Sequence, residues 1–354
     1  MARKLYKKAL VIGAGSGRDM ASAVLISEQL RKAGTKVDLA GFLTPWALHR
    51  FKGKIEQPIN PLIRESTKFI PSKEQPEVPT FFEPRLLGLN EKLDLGIGTM
   101  YVFSLQYGTR RLKTELERLA AANGYDLILA VDIGGDILAR KEDFPGLLTP
   151  IVDFSCLSIL SELQAKADIQ LSIVSPGVDG EIPHPKLVEI FAELQLQIPF
   201  QVSQFTKDSE ALQKFLALNQ ELNKQTGGFS KTADAIEKTL DAKDSFQEPY
   251  KRVLRLGKRT IKLPFTVELG KEFFGKIFQM DLRAFAQLRK EFLLKYDSIL
   301  EAYAEVKRRG AVATEIDFSH VPLSMEKPEE GIFMFTNVPG KVREEALRYF
   351  LELN

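Results

Sequence analysis

The first forty residues of the chain alternate between short apolar runs and a glycine-rich turn followed by a helix. The pattern predicts, in order, a buried strand at 8–12 (KALVI), the turn Gly13-Ala14-Gly15-Ser16-Gly17, a helix over 18–32 and a second strand at 36–42 (KVDLAGF). A strand joined through a helix to a parallel neighbour is the opening unit of a doubly wound sheet. This order restricts the chain to the α/β class.

The same alternation returns after residue 100. Apolar runs predict strands at 100–105, 126–131 and 169–174, and amphipathic stretches predict helices at 109–123, 153–165, 185–194, 208–224 and 231–240. We therefore expect an α/β fold with a doubly wound, mostly parallel, Rossmann-like sheet.

Two regions depart from this alternation. Six prolines fall within residues 53–92, which predicts a long excursion carrying short edge strands. The later part predicts a hairpin at 250–263, a strand near 273–280, one long helix over 283–308, a strand at 331–337 and a helix at 341–353. We assign residues 1–245 to a Rossmann-like domain and residues 246–354 to a C-terminal α+β extension.

Composition narrows the classes of partner. The chain of 354 residues has 49 Lys and Arg against 47 Asp and Glu, and this near balance argues against a dedicated nucleic-acid binder. No uncharged apolar window approaches the 18 residues or so of a membrane span. The single cysteine, Cys156, fits a reducing compartment, so we expect a cytoplasmic protein. We also expect its partner to be a small-molecule ligand. A homo-oligomer is left open, with the 283–308 helix as its interface.

The first candidate site is the turn that follows the first strand. Glycines at 13, 15 and 17 would let the backbone approach a ligand, and Arg18 and Asp19 would orient it. Arg18 is also a candidate anchor for a substrate carboxylate or phosphate. The alternative for Asp19 is a carboxylate that only complements the helix dipole.

The second candidate is AVDIGGDILAR, residues 130–140. Asp132 ends a buried strand, Gly134 and Gly135 make a tight turn, and Asp136 follows. Two acids around a glycine pair suit a divalent metal ion or a polyhydroxylated ligand, so Asp132 and Asp136 are the predicted metal ligands. The alternative for Asp136 is a helix cap.

Two further segments add acidic residues. Asp153 lies in TPIVDFSC (149–156), where it is either a ligand-binding residue or an N-cap, and Cys156 in the same segment is predicted to be a buried, inert thiol. The polar loop at 173–185 supplies Asp179 and Glu181. Because parallel strands share one carboxyl edge, we expect these acids to meet Asp19, Asp132 and Asp136 there.

Four motifs together resemble a known family. They are GAGSGRDM (13–20), VDIGGDILAR (131–140), TPxxD (149–153) and PGVDGEIP (176–183), and they resemble the uncharacterised prokaryotic family DUF1152. The resemblance implies a Rossmann-like α/β chain and carries no established activity.

The residues predict an enzyme, a hydrolase or a transferase, that acts on a small polar metabolite bearing a sugar, nucleoside or phosphate. Asp132, Asp136 and Asp179 would be the catalytic carboxylates. One alternative is a methyltransferase, because the G-x-G-x-G turn resembles the first motif of S-adenosylmethionine-dependent methyltransferases and Asp38 could take the ribose hydroxyls. The other is a ligand-sensing or interaction module without catalysis.

Overall fold

The structure is a computed structural model. It describes residues 5–15, 18–42, 57–62, 83–147, 149–226, 230–256, 259–297 and 299–311. Ten strands lie in these ranges: β1 (Lys8–Gly13), β2 (Lys36–Phe42), β3 (Ile59–Pro61), β4 (Met100–Phe103), β5 (Leu127–Ile133), β6 (Asp168–Val174), β7 (Phe200–Gln204), β8 (Ser245–Leu256), β9 (Arg259–Gly270) and β10 (Lys276–Asp281).

The described α-helices connect these strands. They are α1 (Asp19–Ser22), α2 (Val24–Lys32), α3 (Glu83–Lys92), α4 (Gly108–Asn123), α5 (Pro150–Ser161), α6 (His184–Gln197), α7 (Glu210–Thr226), α8 (Lys231–Thr239), α9 (Leu282–Leu288) and α10 (Ile299–Arg308). None of the helices in these ranges combines the length and the apolar character needed to cross a bilayer.

Eight of the strands form one sheet in the order β3-β4-β2-β1-β5-β6-β10-β7. The five central strands are parallel, while β3 and β10 run antiparallel to their neighbours. The two remaining strands, β8 and β9, pair with each other as a long antiparallel hairpin. The predicted α/β class with a mostly parallel sheet is confirmed.

The chain builds this sheet outward from β1 in both directions. It first adds β2 and β4 on one side, and then α4 carries it back to place β5 and β6 on the other. Beside the strands, α1, α2, α3 and α7 pack among themselves, and α4, α5, α9 and α10 form a second set around α5. The reversal point therefore lies between β1 and β5, where open α/β sheets bind ligands.

The core accounts for the continuous apolar runs of the central strands. All seven residues of β5 (LILAVDI) are buried, as are the five residues that follow Lys8 in β1. A parallel strand covered on both faces by helices needs apolar side chains at every position rather than at alternate ones. The exception in β5 is Asp132, a carboxylic acid in an otherwise apolar strand.

Two predicted helices differ from the structure. The helix expected over 18–32 is interrupted at Ala23, between α1 and α2. The helix expected over 283–308 is also wrong: α9 ends at Leu288, a short 3₁₀ turn follows, and α10 begins at Ile299. Phe292, in that turn, stacks on Phe144 with ring centroids 4.8 Å apart. Tertiary packing of Phe292 accordingly outweighs the helical periodicity of this stretch.

The regions outside the regular alternation are partly described. In the proline-rich excursion, β3 is an edge strand as expected, whereas α3 was not predicted. The strand β10 comes from the part of the chain assigned to the C-terminal extension and lies within the main sheet, between β6 and β7. The strand at 331–337 and the helix at 341–353 lie outside the described residues.

Candidate functional site

The candidate site lies at the carboxyl ends of β1 and β5. The two strands stay paired until the Ala14 N–H donates to the Val131 carbonyl oxygen, at 2.8 Å. Gly15 and Asp132 come next on the two strands. This separation of the strand ends at the reversal point is what gives side chains room to gather there.

Three aspartates gather at this point. Asp132 is the second-to-last residue of β5, and Asp136 is the first residue of the 3₁₀ turn that follows this strand. Asp153 lies in the first turn of α5. One carboxylate oxygen from each lies within 4.8 Å of the others. The exposed fractions of the three residues are only 1%, 6% and 0%. We call these residues the acidic triad.

The hydrogen bonds of the triad leave acceptor capacity unused. The Gly135 N–H donates to Asp132 Oδ1 at 3.4 Å, and the Thr149 hydroxyl lies 3.1 Å from Asp136 Oδ2. Asp132 Oδ2 is buried and has no hydrogen-bond donor among the residues that the structure describes. A buried carboxylate oxygen without a donor or a cation is costly, so this atom is suited to a cation.

Three less deeply buried acids, Asp19, Asp179 and Glu181, lie next to the triad. The carboxylate of Asp19 fills the space that a Cβ on Gly15 would need, and Asp153 Oδ1 lies 3.0 Å from the same position. Asp179 packs in the same way against Gly134, whose φ is +106°. Glycine at these two positions therefore lets carboxylates come close to the backbone. We call Asp19, Asp179 and Glu181 the acidic rim.

The charges of the triad and the rim act on one another. Burial, with a smaller contribution from the Glu181 charge, raises the pKa of Asp132 to about 7 in total, against the backbone N–H groups of Gly135 and Ile137, which lower it. Burial also raises the pKa of Asp136 and Asp19 well above the usual aspartate value, and the neighbouring carboxylates add to both shifts. Asp19 keeps some exposed surface although its carboxylate is enclosed. Such a group of acids either holds protons or shares a cation.

The structure separates the alternatives left open for two of the acids. Gly135, not Asp136, occupies the cap position before the 3₁₀ turn, and Thr149 occupies it before α5, which starts at Pro150. Neither Asp136 nor Asp153 is therefore an N-cap. The predicted metal ligands Asp132 and Asp136 do lie together, and Asp153 joins them.

The structure does not support the ligand-binding roles predicted for Gly13 and Arg18 in the first turn. Gly13 has no room for a ligand on its Cα, because the backbone of α1 at Asp19 and Met20 fills that space. Arg18 donates to the side chains of Asn219 and Asn223 on α7, and burial lowers its pKa to about 10. Gly17 lies outside the described residues.

Two other residues considered from the sequence, Asp38 and Cys156, lie elsewhere or are inert, and the histidine of the 173–185 loop, His184, is paired with an acid. Asp38 is the third residue of β2, far from that strand's carboxyl end, and it accepts bonds from Tyr125 and the Thr99 N–H. His184 pairs with Glu272 at 2.6 Å. The Cys156 thiol is buried as expected, and burial together with Asp132 raises its pKa.

Sequence reasoning missed two residues that shape the site. Thr149 donates its hydroxyl proton to Asp136 or to Glu181, which lies 3.4 Å away, and its place in the TPxxD motif was the available signal. Arg289 is buried after α9 and donates from Nη2 to the Leu138 carbonyl oxygen at 3.0 Å, directly behind the turn that carries Asp136. No local pattern could connect positions 151 residues apart.

A separate cleft of about 750 Å³ lies at the other end of α5. Its lining includes Ser161, Glu162, Arg283 and Lys290, and none of the predicted site residues. The acidic site is therefore distinct from this cleft.

Fold and site together define a class: a doubly wound α/β protein with buried carboxylates at the reversal point of its sheet. Residues 63–221 match the family model described as Protein of unknown function (DUF1152). The predicted resemblance is thereby confirmed. The match contains the motifs at 131–140, 149–153 and 176–183, while the turn at 13–20 lies before it. No curated protein matches the chain.

Proposed function

We propose that the protein is an enzyme that uses a divalent cation, held by the acidic triad, to hydrolyse or transfer a group on a small polar metabolite. One observation carries this proposal: three buried carboxylates approach within 4.8 Å of one another, and no described residue donates a hydrogen bond to Asp132 Oδ2. Oxygen-only ligand sets of this kind suit hard cations such as Mg²⁺, Mn²⁺ or Ca²⁺.

The chemistry follows from the two groups of acids. A cation on Asp132, Asp136 and Asp153 would act as a Lewis acid or lower the pKa of a bound water. Asp179 is the proposed general base, since it lies in the less buried rim and influences the pKa of both Asp19 and Asp136. Thr149 would orient Asp136 by its hydroxyl bond.

Metal binding tests the proposal first. Titration calorimetry with Mn²⁺ at pH 7.5 should give one site, and Asp132→Asn and Asp153→Asn should weaken it at least about tenfold, the equivalent of ~1.4 kcal/mol. Asp208→Asn, which changes an exposed aspartate outside the site, is the matched control and should bind as the wild type does. Equal Mn²⁺ affinity in all four proteins would refute the proposal.

Measurement of enzymatic turnover tests the catalytic part of the proposal. In a screen of phosphate-ester, nucleoside and glycoside substrates, activity should require Mn²⁺ or Mg²⁺. Asp179→Asn should lower kcat by about 10²–10⁴ while leaving Mn²⁺ affinity close to wild type. Binding without turnover would instead favour the ligand-sensing alternative.

A methyltransferase remains the second candidate because one observation favours it. The turn that begins at Gly13, the last residue of β1, lies beside the reversal point of a mostly parallel sheet, where an open α/β sheet would bind a nucleoside cofactor such as S-adenosylmethionine. Against it, Asp38 lies away from the carboxyl edge and Asp19 fills the space at Gly15. Equilibrium dialysis with S-adenosylmethionine decides between the two: saturable binding supports this candidate, and none removes it.

A further inference from the structure

Four backbone donors in the described residues around the acidic site are already used within the protein. The N–H groups of Ala14 and Gly134 donate to the carbonyl oxygens of Val131 and Val174, at 2.8 and 3.1 Å. The Glu181 N–H donates to Asp179 Oδ1 at 2.9 Å. The Gly135 N–H is likewise bonded, to Asp132. Among the described residues, these four N–H groups are therefore not free to cradle a phosphate as the backbone does in other glycine-rich loops.

The side chains that gather at the site are carboxylates, which only accept hydrogen bonds once they are ionised. Each ionised carboxylate has about four lone-pair positions, and six carboxylates form the triad and the rim. Asp132 Oδ2, on a residue that is 1% exposed, is the clearest case because it accepts no hydrogen bond from any described part of the chain. A carboxylate cluster with such an atom calls for a donor or a positive charge.

The cation predicted to anchor an anionic substrate has other partners. Arg18 Nη1 lies 3.4 Å from Asn219 Oδ1 and also donates to Asn223 Oδ1, so α7 holds the guanidinium. An oxyanion entering the site would meet the carboxylates of Asp19, Asp179 and Glu181. Wherever these carboxylates are ionised they repel an oxyanion, because juxtaposed like charges are unfavourable.

We infer that the acidic site recognises its ligand through hydrogen-bond donors, the hydroxyl groups of a polyol or an ammonium group, and admits an oxyanion only together with a divalent cation. The inference rests on the proposed function, in that it assigns the substrate class of the same site. It also narrows that function, since a phosphate-bearing metabolite would bind as its metal complex.

Three sugars that share one ring and differ in charge test the inference. Glucosamine, glucose and glucose 6-phosphate are titrated into the full-length protein by calorimetry, first in EDTA and then in Mn²⁺. In EDTA, glucosamine should bind at least about tenfold tighter than glucose 6-phosphate. In Mn²⁺, the affinity for glucose 6-phosphate should rise at least about tenfold.

Cobalt(III) hexammine is added in case a hexose ring is too large for the site, since it is a compact trivalent cation whose only hydrogen-bonding groups are N–H donors. It should bind the wild type and the Asp208→Asn control in EDTA, and bind Asp132→Asn and Asp179→Asn about tenfold more weakly. The tightest binding by glucose 6-phosphate in EDTA would overturn the inference, as would no binding of either cationic probe.

The two proposals fail separately. Loss of all Mn²⁺ binding, with glucosamine or hexammine still bound in EDTA, would remove the metal-dependent enzyme and leave donor recognition standing. Intact Mn²⁺ binding, with neither glucosamine nor hexammine bound in EDTA, would remove donor recognition and leave the metal-dependent enzyme standing.

Discussion

At the scale of single residues, Asp132 shows how an apolar strand can carry a functional group. It lies near the end of β5, in which all the remaining residues are apolar. Burial raises its pKa to about 7. The folded protein therefore holds this proton more tightly than an unfolded chain, in which an aspartate titrates near 3.8. The consequence is a specific dependence of stability on pH.

Without metal, the free energy of unfolding should fall as the pH rises from about 4 to about 7, because the raised pKa makes ionisation of Asp132 costly only in the folded state. One pKa unit corresponds to ~1.4 kcal/mol, so the contribution is a few kcal/mol. Asp132→Asn should flatten this fall. Urea unfolding in EDTA across that range measures it, with Asp208→Asn as the control, and an unchanged slope in Asp132→Asn would contradict the account.

Added Mn²⁺ should act in the opposite direction. The cation binds ionised carboxylates, so its stabilising effect should grow from pH 5 to pH 8. At a concentration near 100 times Kd the gain should be about 2.7 kcal/mol. Thermal unfolding with and without Mn²⁺ at each pH would show this, and a gain that shrinks with rising pH would exclude carboxylate ligation.

At the scale of elements, the turn after β5 depends on glycine geometry. Gly134 has a φ of +106°, and a Cβ there would collide with the Asp179 carboxylate. Gly88 in α3, by contrast, has open space around its Cα. The two glycines thus form a natural pair for comparison.

Gly134→Ala should destabilise the protein by about 1–3 kcal/mol, through backbone strain and displacement of Asp179. Gly88→Ala should be neutral or stabilise by up to ~1 kcal/mol, because alanine favours a helix. Denaturant unfolding of both variants checks this. A Gly134→Ala protein as stable as the wild type would show that the turn does not hold Asp179 as described.

The elements also show what local sequence can and cannot specify. Runs such as LILAV in β5 predict their strand correctly, because a parallel strand covered by helices on both faces needs an apolar side chain at every position. The prediction of one helix over 283–308 is wrong because Phe292 packs on Phe144, a contact that helical periodicity does not reveal.

In the site, Asp132 and Asp136 were predicted from a strand end and a glycine pair. The bonding of Arg18 to α7 depends on a residue about 200 positions away.

At the scale of the whole molecule, the C-terminal part of the described chain supports the site. β10 lies in the main sheet beside β6, and Arg289 reaches from the end of α9 to the Leu138 carbonyl oxygen. Leu138 ends the 3₁₀ turn that Asp136 begins. The position of Asp136 thus depends on a residue far along the chain.

Arg289→Met should lower stability by about 2 kcal/mol, the usual contribution of a charge-assisted hydrogen bond, and should weaken Mn²⁺ binding. Arg283→Met is the matched control, because Arg283 donates to the Leu163 carbonyl oxygen at the far end of α5 and should leave Mn²⁺ binding intact. Calorimetry of both variants measures their Mn²⁺ affinity, and thermal unfolding measures their stability. Equal Mn²⁺ affinity in the two would separate the C-terminal part from the site.

The most direct test of the central claim is anomalous diffraction from crystals of the protein soaked in Mn²⁺. One anomalous peak should appear among the carboxylates of Asp132, Asp136 and Asp153, with Asp132 Oδ2 as a ligand. A peak elsewhere, or three carboxylates that bond to one another through shared protons with no metal between them, would contradict it.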